Sequence, residues 1–332
     1  MEHVVTGAAM GAALTASGVF QPSVIISQLN FSSFHMIQAF LTAAATSACI
    51  VTAAQSLGYT HLKPRSFSSV GLFARWDGNI IGGLLLGTGM MLSGACPGTV
   101  LAQVGAGVRS GFYAMEGAAL AGIVWAGFLQ PYFSRCQSEP LSSSSSPSDN
   151  KYTTVYDTLG VSRATALAGL EAMFIAIIAA AVTLTSLGPE AKISPVIGGL
   201  FIGGAQLLSV LLRKSLVGTS TSYEELGGWF WSVLKGNGGI PPHYNNILFS
   251  AGAIAGAWLL TTLVPTYGQV TPVTVAPLSA GLGGFLMILG SRIAGGCTSG
   301  HGISGLSLFS TSSFLTIAAT FGAGGLVGLL RG

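Results

Sequence analysis

The chain has 332 residues, of which half are hydrophobic and only 7% are charged, with a formal net charge of +3. A water-soluble surface needs several times more charge than this, so the composition excludes a soluble domain. The small, scattered positive charge also argues against a nucleic-acid-binding protein. Because the apolar runs are continuous and do not alternate with polar residues, the sequence predicts an all-α polytopic membrane protein rather than a β-barrel.

Nine apolar runs are candidates for membrane helices, since a full crossing needs roughly 20 residues. They lie at about 4–17, 34–57, 77–95, 112–133, 165–187, 194–214, 245–264, 275–295 and 312–330. Four shorter stretches, each too short to cross alone, lie at 22–31, 97–108, 220–234 and 300–310. A run, a break and a half-length helix together predict a re-entrant hairpin whose break lies inside the protein.

The sequence also contains a diverged internal duplication. Residues 82–99, shifted by 201 positions, align with 283–300 without a gap and with six identities in 18. The matched residues are Gly82, Gly83, Leu85, Gly89, Gly94 and Cys96 against Gly283, Gly284, Leu286, Gly290, Gly295 and Cys297. Similarity at a fixed spacing is typical of an internal repeat.

The duplication and the hairpins predict four parts. They are a first membrane repeat at 1–133, a disordered Ser-rich linker at 134–163, a connecting transmembrane helix at 164–193 and a second membrane repeat at 194–332. The single connecting helix would invert the second repeat against the first, which predicts an inverted repeat of re-entrant hairpins and transmembrane helices with pseudo-two-fold symmetry. The positive-inside rule, applied to this scheme, places the N-terminus outside and the C-terminus in the cytoplasm of a multi-pass plasma-membrane protein.

The four short stretches begin with residues that favour helix N-termini. These residues are Pro22 and Pro97, which suit a first helical turn, and the N-cap types Thr219, Ser220, Thr298 and Ser299. Each N-terminus carries free N–H groups and roughly half a positive charge, about +2 for four converging ends. The breaks therefore predict a central pathway for a small dianion.

Cys96 and Cys297 occupy the two matched breaks. A thiol is a soft, weak hydrogen-bonding group, and a helix N-terminus favours its thiolate form. The pair therefore points to a solute that contains sulfur, although cysteine also fits wherever a small residue packs. Cys49 is expected to be such a packing residue, and no role is assigned to Cys136.

Two ionisable residues near the second cysteine are further candidates. Arg292 could attract the anion at the outer entrance, or it could pair with Glu116 or Glu171 in the apolar runs. His301 could share a proton with the thiol or donate to the solute, or it could cap the helix. One cysteine and one histidine are too few for zinc, so the sequence predicts no metal.

The third break presents hydroxyl groups instead of a thiol. Thr219, Ser220 and Thr221 could continue a hydrogen-bonding path, or they could cap their helix. The residues that follow the two cysteines are counted in the same pathway. They are Pro97, Gly98, Thr99, Thr298 and Ser299.

The cysteine motifs "GTGMMLSGACPGT" at 87–99 and "GSRIAGGCTSGHGISG" at 290–305 resemble those of the YeeE/YedE family of sulfur-transport membrane proteins. The order of segments is similar along nearly the whole chain, interrupted by the Ser-rich linker. The resemblance implies a compact, pseudosymmetric helical fold that takes up thiosulfate, with Cys96 and Cys297 hydrogen-bonding the sulfur of the ion. Family carriers use a third cysteine in the second half, where this chain has "GTSTSY" at 218–223.

We therefore expect uptake of thiosulfate or a similar small sulfur-containing anion, entering near Arg292 and Cys297 and leaving past Cys96. The expected partners are this anion and the lipid bilayer, with no cofactor and no enzymatic step. Two alternatives remain open. One is a membrane sulfurtransferase that carries a persulfide on a cysteine. The other is a membrane anchor for a soluble cytoplasmic sulfur-carrier protein, bound near 58–76.

Overall fold

The computed structural model describes residues 1–133, 154–184, 192–236, 243–271 and 273–331, and no strand occurs among them. The helices are α1 Glu2–Ala16, α2 Pro22–Leu29, α3 His35–Ser56, α4 Asp77–Ser93, α5 Pro97–Gly105, α6 Arg109–Val124, α7 Val155–Leu159, α8 Arg163–Leu184, α9 Pro195–Arg213, α10 Ser220–Leu234, α11 Asn245–Leu263, α12 Pro277–Ile293 and α13 Thr311–Arg331. Two π-helical turns, Trp125–Leu129 and Ser299–Gly305, and a 3-10 turn, Pro265–Gly268, complete the helical structure. The predicted all-α fold is confirmed.

Seven stretches of the described chain are long and apolar enough to cross a membrane. They are His35–Ser56, Asp77–Gly105, Arg109–Phe133, Arg163–Leu184, Pro195–Arg213, Asn245–Leu263 and Thr311–Arg331. The apolar helix α12 is shorter, with 17 residues. The protein is therefore a multi-pass membrane protein, as the composition indicates.

Helices α4 and α12 cross through glycines at the centre of the molecule. A Cβ atom on Gly82 would lie 2.5 Å from the Gly290 carbonyl oxygen, and one on Gly89 would lie 2.6 Å from the Gly283 oxygen. Residue numbers rise along one helix and fall along the other, so the helices are antiparallel. Only glycine permits this backbone approach, which is a common way to pack helices in lipid.

Two other glycine-mediated pairs run parallel. Along α4 and α13, Gly83 lies against Thr316 and Gly87 lies against Thr320. Along α11 and α1, Gly252 lies against Val4 and Gly256 lies against Ala8. The re-entrant hairpins predicted from the sequence would make both pairs antiparallel, so the observed directions do not support the hairpins.

The backbone at the second break explains the difference. Gly94 has a left-handed conformation with φ of 60°, Cys96 is extended, and Pro97 restarts the helix. Only a few non-helical residues therefore separate α4 from α5. The two helices together form one apolar stretch of 29 residues, Asp77–Gly105. We describe the short helices as continuations of broken crossings.

The start of α1 and the loop 57–76 lie at the same end of the helices. Gly198, at the start of α9, packs against Ser17, at the end of α1. At the other end of this antiparallel pair, His3 of α1 interacts electrostatically with Arg213 of α9. The Tyr59 hydroxyl, just after α3, donates to the Leu211 carbonyl at 2.7 Å. The end of α9 therefore has both the N-terminus and the loop beside it.

Most of the predicted Ser-rich linker, with Cys136, lies outside the described residues. Its last part is ordered, because Val155–Leu159 forms α7. The Val155 N–H donates to the Phe309 carbonyl at 2.8 Å, and the Tyr156 ring meets the Phe309 ring edge to face. The linker expected to be disordered over 134–163 therefore ends in a segment that packs beside the fourth break.

Candidate functional site

Four interruptions of the helices meet inside the protein. The first three are followed by α2, α5 and α10, which begin at Pro22, Pro97 and Ser220, where the sequence places helix starts. After the fourth, the chain resumes as the π-helical turn Ser299–Gly305. Gly94 and Gly295 both have positive φ angles, which glycine adopts without strain.

Side chains after the second and fourth breaks hold the first and third breaks in place. Gln103 of α5 donates through Nε2 to the Phe20 and Gly94 carbonyls, both at 2.8 Å. Ser304 of the π-helical turn donates through Oγ to the Val217 carbonyl, also at 2.8 Å. Each cysteine-bearing break is therefore fastened to a neighbouring break by a buried hydrogen bond.

Cys96 is the N-cap residue of α5. It forms a capping box with Thr99, in which the Cys96 N–H donates to Thr99 Oγ1 at 2.7 Å. This arrangement fixes the backbone before Pro97. The Cys96 side chain is buried and lines an internal cavity.

Cys297 is fully buried among hydroxyl groups. Its Sγ lies 3.4 Å from Thr219 Oγ1 and 3.2 Å from Ser299 Oγ. Thr219 belongs to the third break, so this contact joins the third and fourth breaks. Either partner of each pair can donate, because thiols and hydroxyls both donate and accept.

The internal cavity has a volume of about 40 Å³ and touches both cysteine motifs. Its wall includes Cys96, Gly98, Thr99, Thr298 and Ser299 of the two cysteine motifs, although nearly all of the surface exposed to the cavity is apolar. The apolar wall consists of Met10, Leu14, Val19, Met36, Phe40, Ile202 and Ile303. One water needs about 10–15 Å³ on this measure, so the cavity holds about three waters or a small anion of similar bulk.

Thr298 is a buried residue whose hydroxyl has no hydrogen-bond partner among the described residues. Buried hydroxyls are normally paired, because an unpaired one loses its water contacts without replacement. Thr298 lies on the cavity wall. The residue therefore borders the cavity, while its hydroxyl oxygen is itself buried.

The third break lies beside the second as well as the fourth. A Cβ atom on Gly98 would lie 3.7 Å from Thr219 Oγ1, and the buried Tyr223 hydroxyl donates to the Pro97 carbonyl at 3.2 Å. Three of the four breaks thus surround a small region between the two thiols. In the sequence, Tyr223 is one of the hydroxyl residues of the third break, together with Ser222.

Arg292 does not contact either thiol in the hydrogen bonds of the described residues. It forms an ion pair with Glu224 of α10, its Nη1 lies 3.5 Å from Thr221 Oγ1, and its guanidinium stacks over Trp125 at 6.0 Å from the ring centroid. The acidic partner is therefore neither Glu116 nor Glu171. Thr221 belongs to this ion-pair cluster, whereas Ser220 is buried at the start of α10.

His301 is fully engaged by the protein. Its Nδ1 lies 2.9 Å from Ser313 Oγ, and its Nε2 lies 3.1 Å from the Ala294 carbonyl. A carbonyl only accepts, so Nε2 carries the proton and Nδ1 accepts from the serine in the neutral ring. This arrangement favours a structural role for His301 over contact with the solute, because the ring connects the fourth break to α13.

Arg65 is a residue of this region that the sequence did not identify. It comes from the loop 57–76, and its guanidinium donates to the Gly300 and Gly295 carbonyls. In the sequence it is one of three basic residues in a polar loop, and nothing local shows that the loop folds inward. Within the described residues, no group of three or more His, Cys, Asp or Glu side chains could hold a metal ion.

Comparison with known proteins gives one family match along the chain. The profile of the family described as "Sulphur transport" matches residues 16–327. Thiosulfate transporter TsuA of Spirochaeta thermophila is 27% identical over 274 residues, which cover 78% of this chain and 77% of that protein. A probable transporter of Xylella fastidiosa strain Temecula1 is 32% identical over 124 residues, which cover 37% of this chain and 83% of that protein.

Proposed function

Because the chain belongs to the Sulphur transport family, we propose that it carries thiosulfate or a similar small sulfur-containing anion inward across the plasma membrane, along a pathway lined by Cys96 and Cys297. The family and the named relatives are transporters, in agreement with the prediction that the protein is not an enzyme. The observation that carries the proposal is the shared cavity, whose wall includes residues of both cysteine motifs.

The donors and thiols around this cavity suit an anion with oxygen and sulfur ends. The first N–H of α5, at Gly98, has no acceptor within its own helix, whereas the Thr99 N–H donates to the Cys96 side chain in the capping box. Together with the helix dipole and the Thr298 hydroxyl, the Gly98 N–H favours oxyanion groups. The Cys96 thiol on this wall and the buried Cys297 thiol, which lies beside the wall residue Ser299 and beside Thr219, offer soft contacts to sulfur. Contacts of this kind are individually weak, so they can hold the anion without preventing its release.

We further propose that the two membrane repeats, 1–133 and 194–332, are related by a pseudo-two-fold axis through the crossing of α4 and α12. The shift of 201 residues that relates Gly82 to Gly283 also relates Gly89 to Gly290. Exchanging the halves therefore turns the contact of Gly82 with Gly290 into that of Gly283 with Gly89, and both contacts occur. These reciprocal contacts support the inverted repeat, with 164–193 as the connecting segment.

The proposed topology places the two chain ends on opposite sides of the membrane. Nine crossings, counting α1 and α12 as crossings, give an odd number. The predicted orientation has the N-terminus outside and the C-terminus in the cytoplasm. In the broken-crossing topology, however, loop 57–76 with the basic residues Lys63, Arg65 and Arg75 lies on the same side of the membrane as the N-terminus. The positive-inside rule alone then favours the reverse orientation, and labelling of the ends decides between them.

A sulfur-carrier protein at 58–76 remains a separate proposal from the sequence. Arg65 and Ser68 of this loop are bound within the protein, to Gly295, Gly300 and Ile293. These bonds favour a role of the loop in the pathway over a role as a free docking segment.

The test is uptake of radiolabelled thiosulfate into proteoliposomes that contain the purified protein. We expect saturable uptake that unlabelled thiosulfate inhibits more strongly than sulfate, with selenite as a third competitor. Protein-free liposomes and liposomes with heat-denatured protein are the controls. Uptake equal to these controls would contradict the proposal.

A further inference from the structure

Arg65 brings a positive charge to the second cysteine from a distant part of the chain. Its Nε donates to the Gly300 carbonyl and its Nη1 donates to the Gly295 carbonyl, both at 2.8 Å. These carbonyls lie on either side of Cys297 in the sequence. The guanidinium therefore rests on the same turn that carries the thiol.

The third guanidinium nitrogen, Nη2, and the Cys297 thiol both lie beside Gly300. A Cβ atom on Gly300 would lie 2.9 Å from Nη2 and 3.7 Å from Cys297 Sγ. Nη2 and Sγ thus border one small space, which stays open because residue 300 has no side chain. Gly218, within the third break, also lies near Nη2, since a Cβ atom on this glycine would be 4.0 Å from that nitrogen.

The loop that carries Arg65 is fastened at several points. The Arg65 carbonyl accepts hydrogen bonds from the hydroxyls of Ser310 at 2.7 Å and Ser312 at 3.0 Å. Ser68 donates to the Ile293 carbonyl, at the end of α12. Arg65 is therefore a positioned side chain, unlike the exposed Arg75 of the same loop, which stacks over Phe67.

We propose that Arg65 binds the oxygen end of the transported anion while Cys297 contacts its sulfur end, an inference that rests on the proposed function. A guanidinium forms strong charge-assisted hydrogen bonds with oxyanions. Thiosulfate presents three oxygens at one end and a soft terminal sulfur at the other. The guanidinium and the thiol match these two ends. Affinity for the anion then depends on Arg65, and the preference for thiosulfate over sulfate depends on Cys297.

The experiment compares Arg65→Gln, Arg65→Lys and Cys297→Ala in proteoliposomes, with Arg75→Gln as the matched control. Loss of a hydrogen bond to a charged group predicts that Arg65→Gln raises KM for thiosulfate by about 10- to 100-fold. The inhibition constant of sulfate should rise in parallel, because sulfate offers the same oxygens. Arg65→Lys should be intermediate, and Arg75→Gln should match the wild type. Cys297→Ala should instead lose uptake, and thiosulfate should then stabilise this variant in detergent no more than sulfate does.

A purely structural role would give a different pattern. If Arg65→Gln lowers the melting temperature and the maximal rate but leaves KM within about twofold of the wild type, the proposal is overturned. Gly300→Ala keeps the arginine but fills the space beside Nη2, so it serves if Arg65→Gln fails to fold. It should also raise KM, and an unchanged KM would count against the anion contact.

Thermal stabilisation of the detergent-solubilised protein by thiosulfate separates this inference from the proposed function. If the wild type is stabilised and Arg65→Gln is not, the anion site stands even without measurable uptake. If the wild type takes up thiosulfate and Arg65→Gln does so with the same KM, only the inference fails. If the wild type neither binds nor transports thiosulfate, both fail.

Discussion

Gly82 and Gly290 touch through their backbones, without side chains between them, where α4 and α12 cross. A Cβ atom on Gly82 would lie 2.5 Å from the Gly290 oxygen, and one on Gly290 would lie 2.5 Å from the Gly82 oxygen. A two-fold axis through the crossing would map this contact onto that of Gly283 with Gly89, where a Cβ atom on Gly89 would lie 2.6 Å from the Gly283 oxygen.

Gly290→Ala should destabilise the protein by about 1–3 kcal/mol, because the added methyl group overpacks the crossing and forces the two backbones apart. The measurement is the thermal melting temperature of the purified protein in detergent. Gly204→Ala is the control, since a Cβ atom on this glycine of α9 meets no atom within 4 Å. Equal melting temperatures for the two variants would show that the crossing tolerates separation.

Cys96→Ala and Cys297→Ala should each abolish thiosulfate uptake while the protein remains in the membrane. Each substitution removes a soft contact from the proposed pathway. The Cys96 N–H bond to Thr99 Oγ1 and the His301 N–H bond to the Cys297 carbonyl stay in place. Uptake and membrane abundance are measured together, with Cys49→Ala as the control because Cys49 is exposed beside Glu171. Normal uptake in both variants would remove the thiols from the mechanism.

Thr298→Val should weaken transport without weakening the fold. The hydroxyl has no partner among the described residues, so replacing it with a methyl group removes no internal hydrogen bond. We expect an unchanged or higher melting temperature and a KM for thiosulfate raised by about fivefold, the value of one ordinary hydrogen bond. A lower melting temperature with unchanged KM would mean that the hydroxyl supports the structure instead.

Arg292→Gln and Glu224→Gln should each destabilise the protein, because each leaves the other charge unpaired in a largely buried setting. The double variant should recover much of the loss. A double-mutant cycle on melting temperatures measures this coupling. If Arg292→Gln raises KM strongly and the double variant does not recover stability, Arg292 acts on the anion and the ion pair is secondary.

The broken-crossing topology predicts that Glu2 and Leu57 face the same side of the membrane, opposite Leu330. Single cysteines at these positions, in a Cys49→Ala and Cys136→Ala background, can be labelled with a membrane-impermeant maleimide in sealed cells. We expect Glu2→Cys and Leu57→Cys to behave alike and Leu330→Cys to behave oppositely. If Leu57→Cys and Leu330→Cys instead behave alike, the re-entrant hairpins predicted from the sequence would be supported and the broken-crossing topology contradicted.

Local chemistry made the helix starts predictable. Proline at positions 22 and 97 and hydroxyl residues at 219 and 220 indicate where short helices begin, and α2, α5 and α10 begin there. The direction of the chain after each break was not predictable in this way. A half-length apolar helix looks the same in sequence whether it continues a crossing or returns, and only its packing partners distinguish the two.

Partners distant in sequence account for the remaining differences. Arg292 is paired with Glu224, 68 positions away, whereas the sequence suggested Glu116 or Glu171 because both lie in apolar runs. Arg65 reaches Gly300 across 235 positions. Such pairs depend on how loops and helices pack, and no spacing along the chain encodes them.

The glycine crossing also limits how the protein can move during transport. Two backbones in direct contact have no side chains that could exchange rotamers, so α4 and α12 cannot slide or tilt past one another without a clash. The two helices should therefore keep their relative positions during transport. Under the proposed function, passage of an anion would then come from small rearrangements of side chains at the breaks, which is closer to a selective filter than to a rocking carrier.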